Sequence, residues 1–307
     1  MKNFGERMKE LVYYRKIQVI SNSFKQGHVG RTNREFTIES YKGFSQQEIL
    51  NMEKSALKVV AYINDTNSIN DVKDAMRTVI KELKTARDSH KTMGDLESKL
   101  QNYIVKFDTY KNHWEKKISH INDQEKRIKF QRIFHDATHM AFDSSNSFAL
   151  TCCFRDYIIH GSNLIDNLRI DIDSVHIFAN RDKLLNDWKW NKTKTELISS
   201  QSELIDLEIV IVESFEALSE IHEQLIDART ANVVSDCKYL LMQYDKIQIP
   251  EKYIPCWFIM EKRYFNDRTL GKSNNQSLRN NNKLNMKMLP LKWQDYMRIL
   301  EYWKRIN

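Results

Sequence analysis

The stretch LESKLQNYIVKFDTYKNHWEKKISHI, residues 96–121, decides the fold class. Leu96, Leu100, Tyr103, Phe107, Tyr110, Trp114 and Ile121 recur at alternating four- and three-residue steps, with Ile118 adjoining the seam. An α-helix turns once in about 3.6 residues, so these side chains share one face; a strand would scatter them over both faces of a sheet. The spacing predicts one amphipathic helix of about 40 Å at a rise of about 1.5 Å per residue. Lys99, Lys106, Lys111, Lys116 and Lys117 occupy other faces and read as a solvated surface.

The same period extends in both directions. Ser45 followed by Glu48 is a capping-box pattern, which opens a helix to about Asn64. A second helix is expected from Asn70 to about His90, with Val72, Ala75, Met76, Val79, Ile80 and Leu83 on its apolar face. Beyond residue 121, Glu125 to about Tyr157 reads as one further long helix. LRIDIDSVHIFANRDKLLNDW (168–188) then breaks the pattern: its β-branched residues and alternating polarity predict a short extended insert near 167–180. Helix resumes from about Thr195 to Gln243. There Leu204, Ile211, Leu218 and Leu225 are spaced by sevens, with Leu207 and Phe215 between them, a seam for packing within a bundle or across a dimer.

With 7 Gly and 3 Pro in 307 residues, few positions suit tight turns, which favours long helices over a many-stranded sheet. The expected fold is all-α, an antiparallel bundle of long helices. Residues 1–44 form an N-terminal arm in which VYYRKIQVI (12–20) has the composition of a short β-hairpin strand. Residues 45–245 hold the bundle. Residues 246–307 form a basic extension, with an Asn-rich linker at 271–285 and a final amphipathic helix carrying Trp293, Met297, Leu300 and Trp303.

The net charge of +7 is unevenly spread. Residues 261–307 carry 11 Lys/Arg against 4 Asp/Glu, whereas residues 196–228 hold nine acidic side chains and no Lys or Arg. A basic tail suits phosphate contacts, and equally suits docking on the acidic helix of its own or a partner subunit. No run of about 20 apolar residues exists, so no membrane span is expected. The charged N-terminus does not read as a secretory signal. Cys152, Cys153, Cys237 and Cys256 include no C-x-x-C pair, which fits reduced thiols in a cytoplasmic protein.

No cofactor is implied: P-loop, Rossmann, G-x-S-x-G, H-E-x-x-H and EF-hand patterns are absent. His135 and His139 lie four apart, a spacing that would let one helix face grip a metal with Asp136 or another carboxylate. That ligand set is incomplete, and half-buried helix histidines in ordinary hydrogen bonds are the commoner outcome. The remaining chemistry is in FRDYIIHG, residues 154–161. A guanidinium stays cationic and clamps two phosphate oxygens, while an imidazole exchanges protons near neutrality. Arg155 and His160 would therefore suit cleavage of an RNA, whose own 2′-hydroxyl is the nucleophile. Positions i and i+5 stand about 140° apart on an ideal helix, so the pair converges only at a helix end near Gly161, by a wrapped Arg arm, or through two subunits.

FRDYIIHG at the end of a long helix resembles the signature of HEPN domains, helical bundles marked by an Arg, a polar residue and, a few positions on, a His. Arg155 matches the family Arg, His160 the family His, and Asp156 stands where Asn is common. The resemblance implies a metal-independent endoribonuclease whose composite cleft forms between two protomers. Arg155 would hold the phosphate, His160 would move the proton and Asp156 would orient one of them. RNA and a second copy are the implied partners, and a toxin or abortive-infection (antiviral) effector, with an antitoxin or other regulatory partner, is the implied role. Some toxins of the family carry a modifiable Tyr two residues after the His; Ser162 stands there in this chain. The alternative expectation is a non-catalytic helical nucleic-acid-binding or dimerisation protein.

Overall fold

The residues of the 96–118 stripe are all buried: Leu96, Leu100, Tyr103, Phe107, Tyr110, Trp114 and Ile118 are each 3% exposed or less. They lie on α3 (Ser89–Ser119). The computed structural model describes residues 9–13, 39–40, 46–85, 89–160, 163–171, 175–247, 257–261, 287–289 and 293–306. The protein is mostly helical, with nine α-helices among the described residues. None of those helices is long and apolar enough to cross a membrane.

The chain divides into two compact units, one of residues 64–228 and one of residues 1–63 with 229–307. The first holds α2 (Asn70–Thr85), α3, α4 (Gln124–Ser144) and α5 (Asn146–Ile159). They are followed by β3 (Asn167–Ile170), β4 (Val175–Asn180), α6 (Arg181–Asp187), α7 (Lys192–Ser199) and β5 (Leu204–Asp206). β3, β4 and β5 form a three-stranded antiparallel sheet in that order; β3 and β4 are the extended insert expected near 167–180, and β5 joins them from a segment expected to be helical. The strand β4 alternates buried Val175, Ile177 and Ala179 with half-buried His176, Phe178 and Asn180, as a period of two requires.

Two expected long helices are each divided. The 125–157 segment breaks at Ser145, whose backbone (φ −120°, ψ 104°) is extended. Its N–H donates to the Ala141 carbonyl at 3.0 Å, closing α4, and its hydroxyl accepts the Phe148 N–H at 3.2 Å, opening α5. A serine supplies both caps at once because its short side chain competes with the helical ladder. The 195–243 segment breaks between α7 and α8 (Leu207–Ile247). There Ser200 returns its hydroxyl to the Leu197 carbonyl (2.7 Å), and Asp206 caps α8 by accepting the Glu208 and Ile209 N–H groups at 2.9 and 3.2 Å. The seven-residue seam is therefore shorter than its spacing suggests. Ile211, Leu218 and Leu225 are buried on α8, but Leu204 sits on β5 and is 42% exposed.

A histidine-centred contact ties α3 to α8 within this unit. The His222 Nδ1 lies 2.8 Å from the Tyr110 hydroxyl, and Nε2 lies 3.2 Å from the Thr66 carbonyl. A carbonyl only accepts, so Nε2 carries the hydrogen and Nδ1 accepts from Tyr110. The ring is thereby fixed as a neutral tautomer. Burial pushes its pKa below the usual histidine value, and the Thr66 carbonyl offsets this only in part. An unfolded chain takes up this proton near pH 6.5, but the folded one does so only at lower pH. Stability from this site is complete above about pH 6.5 and falls as the pH drops through and below it. Thermal melts from pH 7.5 down to 5 should show that slope, and His222→Phe should flatten it. An equal slope in both proteins would show that His222 carries none of the dependence.

The other unit contains β1 (Lys9–Tyr13), β2 (Glu39–Ser40), most of α1 (Gln46–Asn67), the C-terminal part of α8, β6 (Trp257–Glu261), β7 (Lys287–Leu289) and α9 (Trp293–Ile306). Its sheet runs β2-β1-β6-β7, all antiparallel, so β1 pairs with the sequence-distant β6 as well as with β2. Inside this unit the Asp236 carboxylate accepts from Ser55 (2.7 Å) and Lys58 (3.0 Å), and Tyr62 meets Thr230 at 2.8 Å. On α9 the buried residues are Tyr296 and Ile299, while Met297, Leu300 and Trp303 are half-buried. The Asn-rich linker at 271–285 and the strand-like residues 14–20 lie outside the described residues.

Candidate active site

Helix α5 is buried along nearly its whole length, with Phe148, Ala149, Leu150, Cys153, Phe154 and Tyr157 all in the core. It packs against α3, α4 and α7. Arg155 and Asp156 are half-buried at its C-terminal end, and both are engaged by charged partners. Arg155 Nε donates to Asp108 of α3 at 3.1 Å, and Nη1 donates to Asp156 at 3.1 Å. The other Asp156 oxygen accepts from Lys194 of α7 at 2.5 Å. Two carboxylates and two cations thus alternate along one chain of charge-assisted hydrogen bonds.

The electrostatics follow from that chain. The Asp156 hydrogen bond, then Asp108, hold the Arg155 guanidinium above its ordinary pKa. Burial opposes the ionised form of Asp156, but Lys194 and then Arg155 outweigh it and keep the carboxyl below the usual carboxylate range. Of the five N–H donors of Arg155, two are used; the other three have no protein acceptor among the described residues. The side chain is 39% exposed, so those donors can reach a ligand from solvent.

His160 is the C-cap of α5, with φ −86° and ψ 13°, and is exposed. Its ring stacks on Trp188 with centroids 3.9 Å apart and planes 25° from parallel. Among the described residues neither of its ring nitrogens has a hydrogen-bond partner in the protein. Arg155 and His160 thus share the last turns of one helix but have different partners, Arg155 on Asp108 of α3 and on the adjacent Asp156, and His160 on the segment between α6 and α7. Asp156 is placed on Arg155 and Lys194.

Three residues that the sequence alone did not point to complete this region. Asp108 and Lys194 anchor Arg155 and Asp156, and Trp188 covers one face of His160. Glu97 of α3 fixes the chain that follows the motif by accepting the Leu164 N–H (2.9 Å) and the Ile165 N–H (2.8 Å). The two adjacent thiols are poor nucleophiles. Burial raises the pKa of Cys152 despite Lys111 at 3.3 Å, and burial pushes Cys153 up to about 12.

His135 and His139 are exposed on α4, with ring centroids 6.3 Å apart. Among the described residues no group of three or more His, Cys, Asp or Glu converges in a way that could hold a metal ion. A cavity of about 550 Å³ lies between α4, the start of α5 and α8. Glu213, Glu216 and Glu220 line it, the wrong sign for a phosphate, and it sits at the end of α5 opposite His160. Comparison of the chain with protein-family models, with curated proteins and with solved structures finds no match in any of the three.

Proposed function

We propose that the protein is a metal-independent endoribonuclease of HEPN type that works as a homodimer, in the role of a toxin or antiviral effector. The observation that carries this reading is the end of α5. There, among the described residues, Arg155 is held by two carboxylates yet keeps three unengaged N–H donors, and the exposed His160 ring has no hydrogen-bond partner. In this chemistry Arg155 binds the scissile phosphate and stabilises charge that grows on its oxygens. His160 takes the proton from the ribose 2′-hydroxyl or gives one to the leaving 5′-oxygen. The 2′-oxygen bonds to phosphorus as the bond to the 5′-oxygen breaks, which leaves a 2′,3′-cyclic phosphate and a 5′-hydroxyl.

Because Arg155 and His160 of one chain turn to separate partners, the reading needs a second copy whose motif completes the cleft. Wild-type protein should be dimeric in solution and should cut RNA in excess EDTA. Substrates with a 2′-deoxyribose at the cut should resist. Requirement for an added divalent metal, or cleavage of the deoxy substrate at an equal rate, would reject the mechanism. One observation favours the second reading, a non-catalytic nucleic-acid-binding or dimerisation protein: the Asp108–Arg155–Asp156–Lys194 chain is a self-sufficient structural tie. Under that reading the dimer or the RNA complex forms but no cleavage products appear.

A further inference from the structure

The segment Trp188–Lys194 runs from the end of α6 into α7 and meets the last turn of α5 at three points. Trp188 stacks on His160 (3.9 Å, 25°), Trp190 stacks on Tyr157 (6.3 Å, 24°), and Lys194 reaches Asp156 (2.5 Å). The backbone at Trp188 is extended (φ −138°, ψ 139°), and the Trp188 and Trp190 rings meet edge to face with centroids 6.5 Å apart. Tyr157 and His160 are three apart, hence neighbours on one helical face. The two pairs therefore form two rungs between an extended segment and a helix end. The rungs are themselves braced: the Trp190 indole N–H donates to the Leu184 carbonyl at 2.7 Å, and the Tyr157 hydroxyl donates to Asp187 at 3.1 Å.

A proton-transferring histidine is ordinarily oriented by a hydrogen bond at one ring nitrogen, which leaves a single nitrogen for substrate. His160 has no such bond to the described residues, yet its ring lies flat against a half-buried indole. We infer that Trp188 is the positioning residue for His160, fixing the imidazole plane by stacking so that both ring nitrogens stay open to solvent and substrate. The stacking geometry stands on its own; its catalytic consequence rests on the ribonuclease reading above.

Proton NMR of the full-length protein separates the two. The His160 ring signals, assigned by their loss in His160→Ala, should lie upfield of exposed histidines because the indole shields them. They should return to ordinary positions in Trp188→Ala and remain shifted in Trp188→Phe, which keeps an aromatic face. In cleavage assays Trp188→Ala should lower kcat by about 10- to 100-fold with KM little changed, since a misplaced group loses rate rather than binding. Trp188→Phe should recover most of that loss. Unshifted His160 signals in the wild type, or wild-type kcat in Trp188→Ala, would overturn the assignment. If the wild type cuts no RNA at all, the ribonuclease reading fails, and the NMR arm still decides whether Trp188 orients His160.

Discussion

His160→Ala should cut RNA at least about 100-fold more slowly than the wild type, because general acid–base transfer contributes roughly that factor or more. His160 is exposed at the end of α5, and its ring makes no hydrogen bond to the described residues, so its removal opens no cavity in the core and the variant should fold normally. Arg155→Ala should lose a similar factor, about 100- to 1000-fold, for the loss of donors aimed at the transition-state charge. Its structural effect differs, since Asp108 and Asp156 would then face each other with Lys194 as their principal counter-charge. Arg155→Lys is the informative control. An ammonium can pair with one carboxylate but lacks the planar fork that meets both carboxylates and still offers further donors. It should keep the fold and recover only part of the rate. Purified His160→Ala that cleaves as fast as the wild type would place the activity elsewhere and end the ribonuclease reading.

How far the sequence carried this picture depended on the range of each signal. The α3 stripe was legible because seven large apolar side chains repeat on one period, and all but the half-buried Ile121 end up in the core. The breaks at Ser145 and between α7 and α8 were not, because helical periodicity continues on both sides and only a few serines mark each interruption. Leu204 kept the seven-residue spacing of a seam although it belongs to a strand. On α9, the chosen Met297 and Leu300 and the buried Tyr296 and Ile299 differ by one position, a turn of about 100° that composition alone does not resolve. Arg155 and His160 stood out as residue types. Their partners did not: Asp108 lies 47 residues before Arg155, and Lys194 lies 38 after Asp156, distances over which no local pattern operates. Glu97 was hidden for the same reason, as one polar residue next to the first leucine of the apolar stripe.

Glu97→Ala should be among the most destabilising single changes in the 64–228 unit, at about 3 kcal/mol or more. Glu97 is 7% exposed, and both of its oxygens are committed. Oε1 accepts the Leu164 N–H and the Gln101 amide, each at 2.9 Å, and Oε2 accepts the Ile165 N–H at 2.8 Å. Leu164 and Ile165 are themselves buried, so the two backbone donors lie where water does not replace a lost acceptor. A hydrogen bond to an ionised group contributes about 1.5–3 kcal/mol, and a buried N–H left without an acceptor costs about 1–3 kcal/mol. Either route gives a total of several kcal/mol for the pair. Glu97→Gln retains one acceptor oxygen, but its amide nitrogen turns a donor towards the donor that the other oxygen served. It should therefore fall between the wild type and Glu97→Ala. Equilibrium denaturation in urea reads both differences. A Glu97→Ala loss below about 1 kcal/mol would mean that the chain beyond His160 is held by its apolar side chains alone. With the expected loss, the carboxylate on α3 is what ties the backbone at Leu164 and Ile165 to the core, and that segment and, through Asp108, Arg155 are then both anchored to one helix.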